Sequence, residues 1–249
     1  MILYLIKGKG RSVKIAGKYP LQVKWERFSI DFTAWEAEFT ESFTKTLSEL
    51  VGNKTVFDVG ASTGEWSALA ASIVGSENTH VFEPNKAAWA EIEQTFSLNS
   101  LPPPAGMFMG FAANTDSYSE ETRKGILSPL WPAKTKGEAK FENLFERPDL
   151  PAIKLNTYCE LLKVKPSVIK IDVEGAEGEV LRGSDQVLKH IRPVLFVSLH
   201  PDMVLNFGDT RNDLLQWVLS MGYEGELLGI DHEEHWLFKP TTLSPQLKA

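Results

Sequence analysis

The chain has 249 residues, with 43% hydrophobic and 24% charged content, the usage of an ordinary globular protein, which excludes disorder as the main state. A formal net charge of −7 argues against a nucleic-acid partner, because phosphate backbone selects a basic face. The single cysteine, Cys159, excludes an internal disulfide and any cysteine-rich zinc site.

From the start, Met1 to Ile6 is apolar for only six residues before Lys7 and Lys9. It is too short for a signal peptide and reads as a buried first strand. No apolar run reaches the length of a membrane span, so a cytoplasmic protein without a membrane span is expected. Residues 1–33 read as short strands broken by Gly8, Gly10, Gly17 and Pro20, an N-terminal arm ahead of one domain over 34–249. Trp35, Phe39, Phe43 and Leu47 share a helical stripe over 34–50.

A strand is predicted over 55–59, then a glycine-containing turn and a helix with Trp66, Leu69, Ala70 and Ile73 on its apolar face. Ser62 and Glu65 have capping-box spacing, and Gly75 is placed to stop the helix. His80 to Glu83 form the next strand, and Pro84-Asn85 opens a helix that buries Trp89, Ile92 and Phe96. Residues 106–111 suit a third strand. The stretch 113–151 reads as an irregular insertion, a lid or part of an acceptor site. Further strands are expected at 168–172 and 194–199, with helices from Thr157, at 176–181, 184–191 and after Thr210. A hairpin around Asp231-His232 closes the chain.

Near-continuously apolar strands alternate with helices, the pattern of a mostly parallel sheet covered on both faces. Ligands of such sheets lie beyond the carboxyl ends of the strands, where polar residues collect here. The turn Asp58-Val-Gly60-Ala61-Ser62-Thr-Gly64 has serine where a dinucleotide fold needs its middle glycine, and it lacks the lysine of a P-loop. It is therefore built for a ligand without a pyrophosphate. Asp58 is placed to accept a hydrogen bond from an ammonium or hydroxyl group. Glu83 ends the next strand, where a carboxylate holds a ribose diol. Asp172, Glu174 and Glu177 crowd the end of the fourth strand, and carboxylates that close need a cation, a proton or donors.

The pairing of Asp-x-Gly-x-x-x-Gly with a strand-terminal Glu is similar to the binding text of S-adenosylmethionine-dependent methyltransferases. Val56 to Gly64, Val81-Phe-Glu-Pro84, Ile169-Lys-Ile-Asp-Val-Glu-Gly-Ala-Glu177 and Arg192-Pro-Val-Leu195 leading to His200 together resemble the FkbM family of methyltransferases. The resemblance implies a doubly wound, seven-stranded class I methyltransferase sheet, mostly parallel, with a C-terminal antiparallel hairpin strand. It implies O-methylation of a sugar, glycan or macrolide hydroxyl by S-adenosyl-L-methionine. Asp58, Gly60, Ala61, Ser62, Gly64, Glu83 and Pro84 would then bind the cofactor, and Glu174 would meet the acceptor. Trp131 is a candidate for stacking on a sugar ring. His200 is expected as a neutral general base, with Asp172 orienting it or taking the proton. No metal is assigned. A binding protein that keeps the fold without transferring a methyl group is the alternative. Ser198 stands where the family often has glutamate.

Overall fold

The computed structural model describes residues 10–15, 18–24, 37–129, 131 and 150–241. Strands β1 (Gly10–Ile15) and β2 (Tyr19–Lys24) form an antiparallel hairpin with Val13 opposite Leu21. Leu21 and Val23 lie two apart on one face, and with Ile15 they are buried in the same cluster as Phe39, Phe43 and Leu47. The Asn99 side chain acts as a strand partner, accepting from the Gln22 amide at 2.7 Å and donating to its carbonyl at 2.9 Å. The hairpin is thus packed onto the body of the protein. Helix α1 (Ala37–Glu49) lays Phe39, Phe43 and Leu47 into that cluster; Trp35 and residues 1–6 lie outside the described residues.

The main sheet follows. Its strands are β3 (Val56–Val59), β4 (Thr79–Phe82) and β5 (Gly106–Phe108), then β8 (Val168–Asp172), β9 (Val194–Leu199), β10 (Tyr223–Ile230) and β11 (Glu234–Pro240). Their order is β10-β11-β9-β8-β3-β4-β5. All neighbours from β9 to β5 are parallel. Strand β11 runs antiparallel between β9 and β10. The order reverses between β3 and β8, which makes their carboxyl ends the switch point. Side-chain alternation sends Phe57, Val59, Ile169 and Ile171 to one core and Val56 and Val168 to the other. Asp58, Lys170 and Asp172 therefore share the face of the second core.

Helices α2 (Glu65–Val74) and α3 (Lys86–Leu98) follow β3 and β4. The capping box is not formed: Gly64, in the left-handed region, caps α2 without a side-chain bond, and Ser62 itself has φ 50. The stretch 106–111 is not one strand, because β5 ends at Phe108 and Phe111–Ala112 (β6) pairs with Ala152–Ile153 (β7) in a separate small sheet. The insertion contains helix α4 (Glu120–Leu127), capped by Ser119 accepting from the Thr122 amide. Residues 132–149 lie outside the described residues. Helix α5 (Leu155–Leu162) starts two residues before Thr157, and α6 (Glu177–Arg182) and α7 (Arg211–Ser220) cover the remaining strands. Among the described residues no helix is long and apolar enough to cross a membrane.

Candidate active site

The turn after β3 is fastened on both sides. The amides of Gly60 and Ala61 donate to the Phe82 carbonyl at 3.0 and 3.2 Å, tying it to β4. A Cβ added at Gly60, where φ is +80, would overlap the Asp172 carbonyl oxygen. Gly60 is thus required by the contact with β8 and by its own backbone angles. Gly64 answers a different need: a Cβ there would meet the Ile92 Cα at 3.1 Å. It lets α2 approach α3, where ligand approach had been expected.

Glu83, just beyond β4, is 6% exposed. One carboxylate oxygen accepts from the Ser62 amide at 2.7 Å and the other from the Asn85 amide at 2.8 Å. Trp89 Nε1 donates to the Glu83 carbonyl at 2.9 Å. Burial pushes the Glu83 carboxyl up to about 7, with the two amides and Lys170 opposing and Asp58 assisting. Each oxygen has used one acceptor direction and keeps another. Those directions suit a pair of vicinal hydroxyls, so the residues present fit the ribose of S-adenosylmethionine. Pro84 and Asn85 continue this wall, and the Asn85 side chain caps α3.

Asp58 is 1% exposed, too covered for the direct ligand contact expected of it. Ser67 donates to its Oδ2 at 2.5 Å, and Lys170 Nζ lies 3.5 Å from its Oδ1. Lys170 also donates to Asp172 Oδ2 at 3.2 Å and lies 6.0 Å from the Trp66 ring centre. This lysine was not singled out in the sequence, although a lysine within an apolar parallel strand needs a buried partner.

His200 follows β9 and is 4% exposed. Its Nδ1 lies 2.8 Å from Glu177 Oε1, and its Nε2 lies 2.8 Å from Glu233 Oε2 and 3.5 Å from Glu174 Oε2. Burial alone would lower its pKa, but contacts with Glu177 and Glu233 outweigh that and hold it at about 11. His200 is therefore an imidazolium without a lone pair, and the expectation of a neutral base is corrected. Glu177 is fully buried and also accepts from the Gly175 amide at 3.0 Å. Glu174, with φ 54, projects an exposed side chain into the same mouth. Burial, together with Asp172, Glu233 and Glu177, raises its pKa, while His200 opposes the shift. Asp172, partly exposed, ends β8 beside it.

The tip of the β10–β11 hairpin adds Asp231, His232, Glu233 and His235, none of which the sequence singled out for a role. Because Glu234 of β11 pairs with Leu199 of β9, the amino end of this antiparallel strand reaches the mouth. Trp131 does not reach it. Its ring sits edge-on to Phe96 at 5.7 Å, roughly 15 Å along α3 from the end at Asn85, at 1.5 Å per residue.

The switch-point order, the strand-terminal acids and the inserted antiparallel strand define the class I methyltransferase fold. The sequence matches the Methyltransferase FkbM domain over residues 58–224. The chain belongs to the FkbM methyltransferase family. Among solved structures it is similar to the methyltransferase FkbM from Methylobacillus flagellatus KT, with 17% identity, TM-score 0.48, and coverage of 74% of this chain and 43% of that one. The chain thus spans less than half the length of that protein. It is also similar to M. jannaschii TYW2 in complex with AdoMet, with 12% identity, TM-score 0.42, and coverage of 94% and 87%. A Pyrococcus abyssi tRNA methyltransferase in complex with S-adenosyl-L-homocysteine shares 11% identity, TM-score 0.43, and coverage of 93% and 44%. No curated protein matches.

Proposed function

We propose that the chain is an S-adenosylmethionine-dependent O-methyltransferase acting on a hydroxyl of a sugar, glycan or macrolide-type metabolite. The observation that carries this reading is Glu83, a desolvated carboxylate with two spare acceptor directions beside the glycine turn. When bound, the cofactor supplies a methyl group on a positively charged sulfur. Glu83 accepts the ribose hydroxyls, while Gly60, Ala61, Ser62 and Pro84 form the wall beside it. Asp58 and Lys170 act from beneath by fixing the ends of β3 and β8.

With His200 held as an imidazolium, Asp172 takes the acceptor hydroxyl's proton. It ends β8 with its side chain partly exposed, and Lys170 fixes its direction. Glu174 binds the acceptor beside it. Positioning accounts for much of the acceleration in a displacement of this kind, and a positioned base adds roughly a hundredfold or more. The charge of −7 supports a small-molecule or glycan acceptor over a nucleic acid.

The test has two parts. Calorimetry with S-adenosylmethionine and S-adenosylhomocysteine should give binding that Glu83→Ala weakens. Methyl transfer to a panel of glycan and polyketide hydroxyls should then fall about a hundredfold in Asp172→Asn with cofactor affinity kept. The absence of a lone pair on His200 favours a second reading, a cofactor-binding protein without transfer. Binding without turnover on any acceptor would select it.

A further inference from the structure

We propose that His200 is a positioning residue for the acceptor: its imidazolium, fixed by Glu177 and Glu233, holds the Glu174 carboxylate in the mouth, where an acceptor hydroxyl meets it. This role rests on the methyl-transfer reading and assigns what holds its acceptor-binding residue. The chain turns sharply after β8. Glu174 has φ 54 and Gly175 has φ 102, two successive left-handed residues, and a side chain at the first makes it strained. A Cβ at Gly175 would lie 2.8 Å from the Met203 Cβ and carbonyl carbon, so the turn presses against the loop that follows His200. Such a conformation persists only where its surroundings enforce it. Here the Gly175 amide donates to Glu177 Oε1 at 3.0 Å, and the same oxygen lies 2.8 Å from His200 Nδ1. One atom of a fully buried carboxylate thus ties the turn to the imidazole.

The other ring nitrogen, Nε2, lies 2.8 Å from Glu233 Oε2 and 3.5 Å from Glu174 Oε2. Glu233 is buried and anchors the ring from the hairpin. The Glu174 side chain is 65% exposed, and among the described residues its one ion pair is with His200. Its Oε1 has no partner among them and is left for a hydroxyl to donate to. Without an anchor, Glu174 would be repelled by Asp172, Glu177 and Glu233 or would take up a proton. Burial and those three acids do raise its pKa, and His200 lowers it. Two further groups stand behind these. Lys170 is engaged with Asp58 and Asp172, and the His232 ring lies 6.4 Å from that of His200. With both nitrogens of His200 committed to carboxylates, the ring's part is to hold rather than to exchange protons.

The hold itself is tested on the full chain without cofactor or acceptor, so its failure and that of methyl transfer are separate outcomes. With carbon-13 in the glutamate side chains, the Glu174 carboxyl signal, assigned by its loss in Glu174→Gln, gives a titration midpoint. His200→Gln should raise that midpoint by about one pH unit, and His200→Lys, which restores a cation, should bring it back toward wild type. In case the His200 variants fail to fold, side-chain relaxation in the wild-type protein decides. The Glu174 order parameter should stay above about 0.6, and that of Glu160, exposed on α5, should fall below it. In the methyl-transfer assay Glu174→Gln should raise the KM of the best glycan or polyketide acceptor about tenfold with kcat nearly kept. An unmoved midpoint in folded His200→Gln, a raised midpoint that His200→Lys does not restore, a Glu174 side chain as mobile as Glu160, or an unchanged acceptor KM in Glu174→Gln would each overturn the proposal.

Discussion

Lys170 Nζ lies 3.5 Å from Asp58 Oδ1, and both side chains are 2% exposed. A buried charge left alone is expensive, so Lys170→Met should lower stability by about 3–5 kcal/mol. The double variant Asp58→Asn/Lys170→Met should recover part of that loss, because it removes the orphaned charge. Urea denaturation of the four proteins measures the coupling. Equal losses in the single and double variants would mean that the pair is not the cause.

Glu83 couples cofactor binding to pH. Its folded pKa of about 7 stands above the ordinary carboxylate value of 4.5. The folded state therefore holds the proton more tightly. Cofactor-free stability should fall by about 3 kcal/mol as pH rises from about 4.5 through 7. Affinity for S-adenosylhomocysteine should move the other way, rising from pH 6 to 8 as the stronger acceptor forms. Glu83→Gln should flatten both profiles in melts and calorimetry.

Gly60 and Gly52 separate two effects of glycine. Both have positive φ, +80 and +76, but a Cβ at Gly52 meets nothing within 4 Å. Gly52→Ala should cost about 1–2 kcal/mol for the left-handed backbone alone. Gly60→Ala adds overlap with the Asp172 carbonyl and should cost at least a further 1–3 kcal/mol. Equal midpoints in urea would contradict the overlap.

Replacing His200 tests its charge. His200→Gln leaves Glu177 and Glu233 facing each other without the imidazolium between them, so stability should drop by several kcal/mol. A melting temperature equal to wild type, together with lost turnover, would restore the neutral-base reading.

The parallel strands and most of their helices were legible because apolar periodicity reports burial directly. Glu83 was legible as well, since a strand end followed by Pro84 marks a fixed position. What the sequence concealed arises from pairing. Lys170 reads as an interruption of an apolar run until β8 is placed beside β3. The hairpin acids carry no such signal, because β11 runs antiparallel to β9 and brings its amino end to the carboxyl edge of the sheet. Ser62 and Glu65 have capping spacing, yet Glu83 takes the Ser62 amide and Gly64 takes the cap. Trp131 fell in an irregular stretch with no period to reveal its contact with Phe96.

The two borders of the main sheet bear on self-association. Strand β5 has only three residues. Strand β10 is longer, but its pairing with β11 shifts register between Leu227 and Gly229, and Glu224 and Glu226 lie exposed along it. Short length, a bulge and like charges all discourage another chain from adding a strand. The border that carries the hairpin is thus guarded against self-templating. Glu224→Val/Glu226→Val would remove the charge guard, leave exposed Leu227 and Ile230 on a more continuous apolar strip, and turn this border into a nucleus for intermolecular β-pairing.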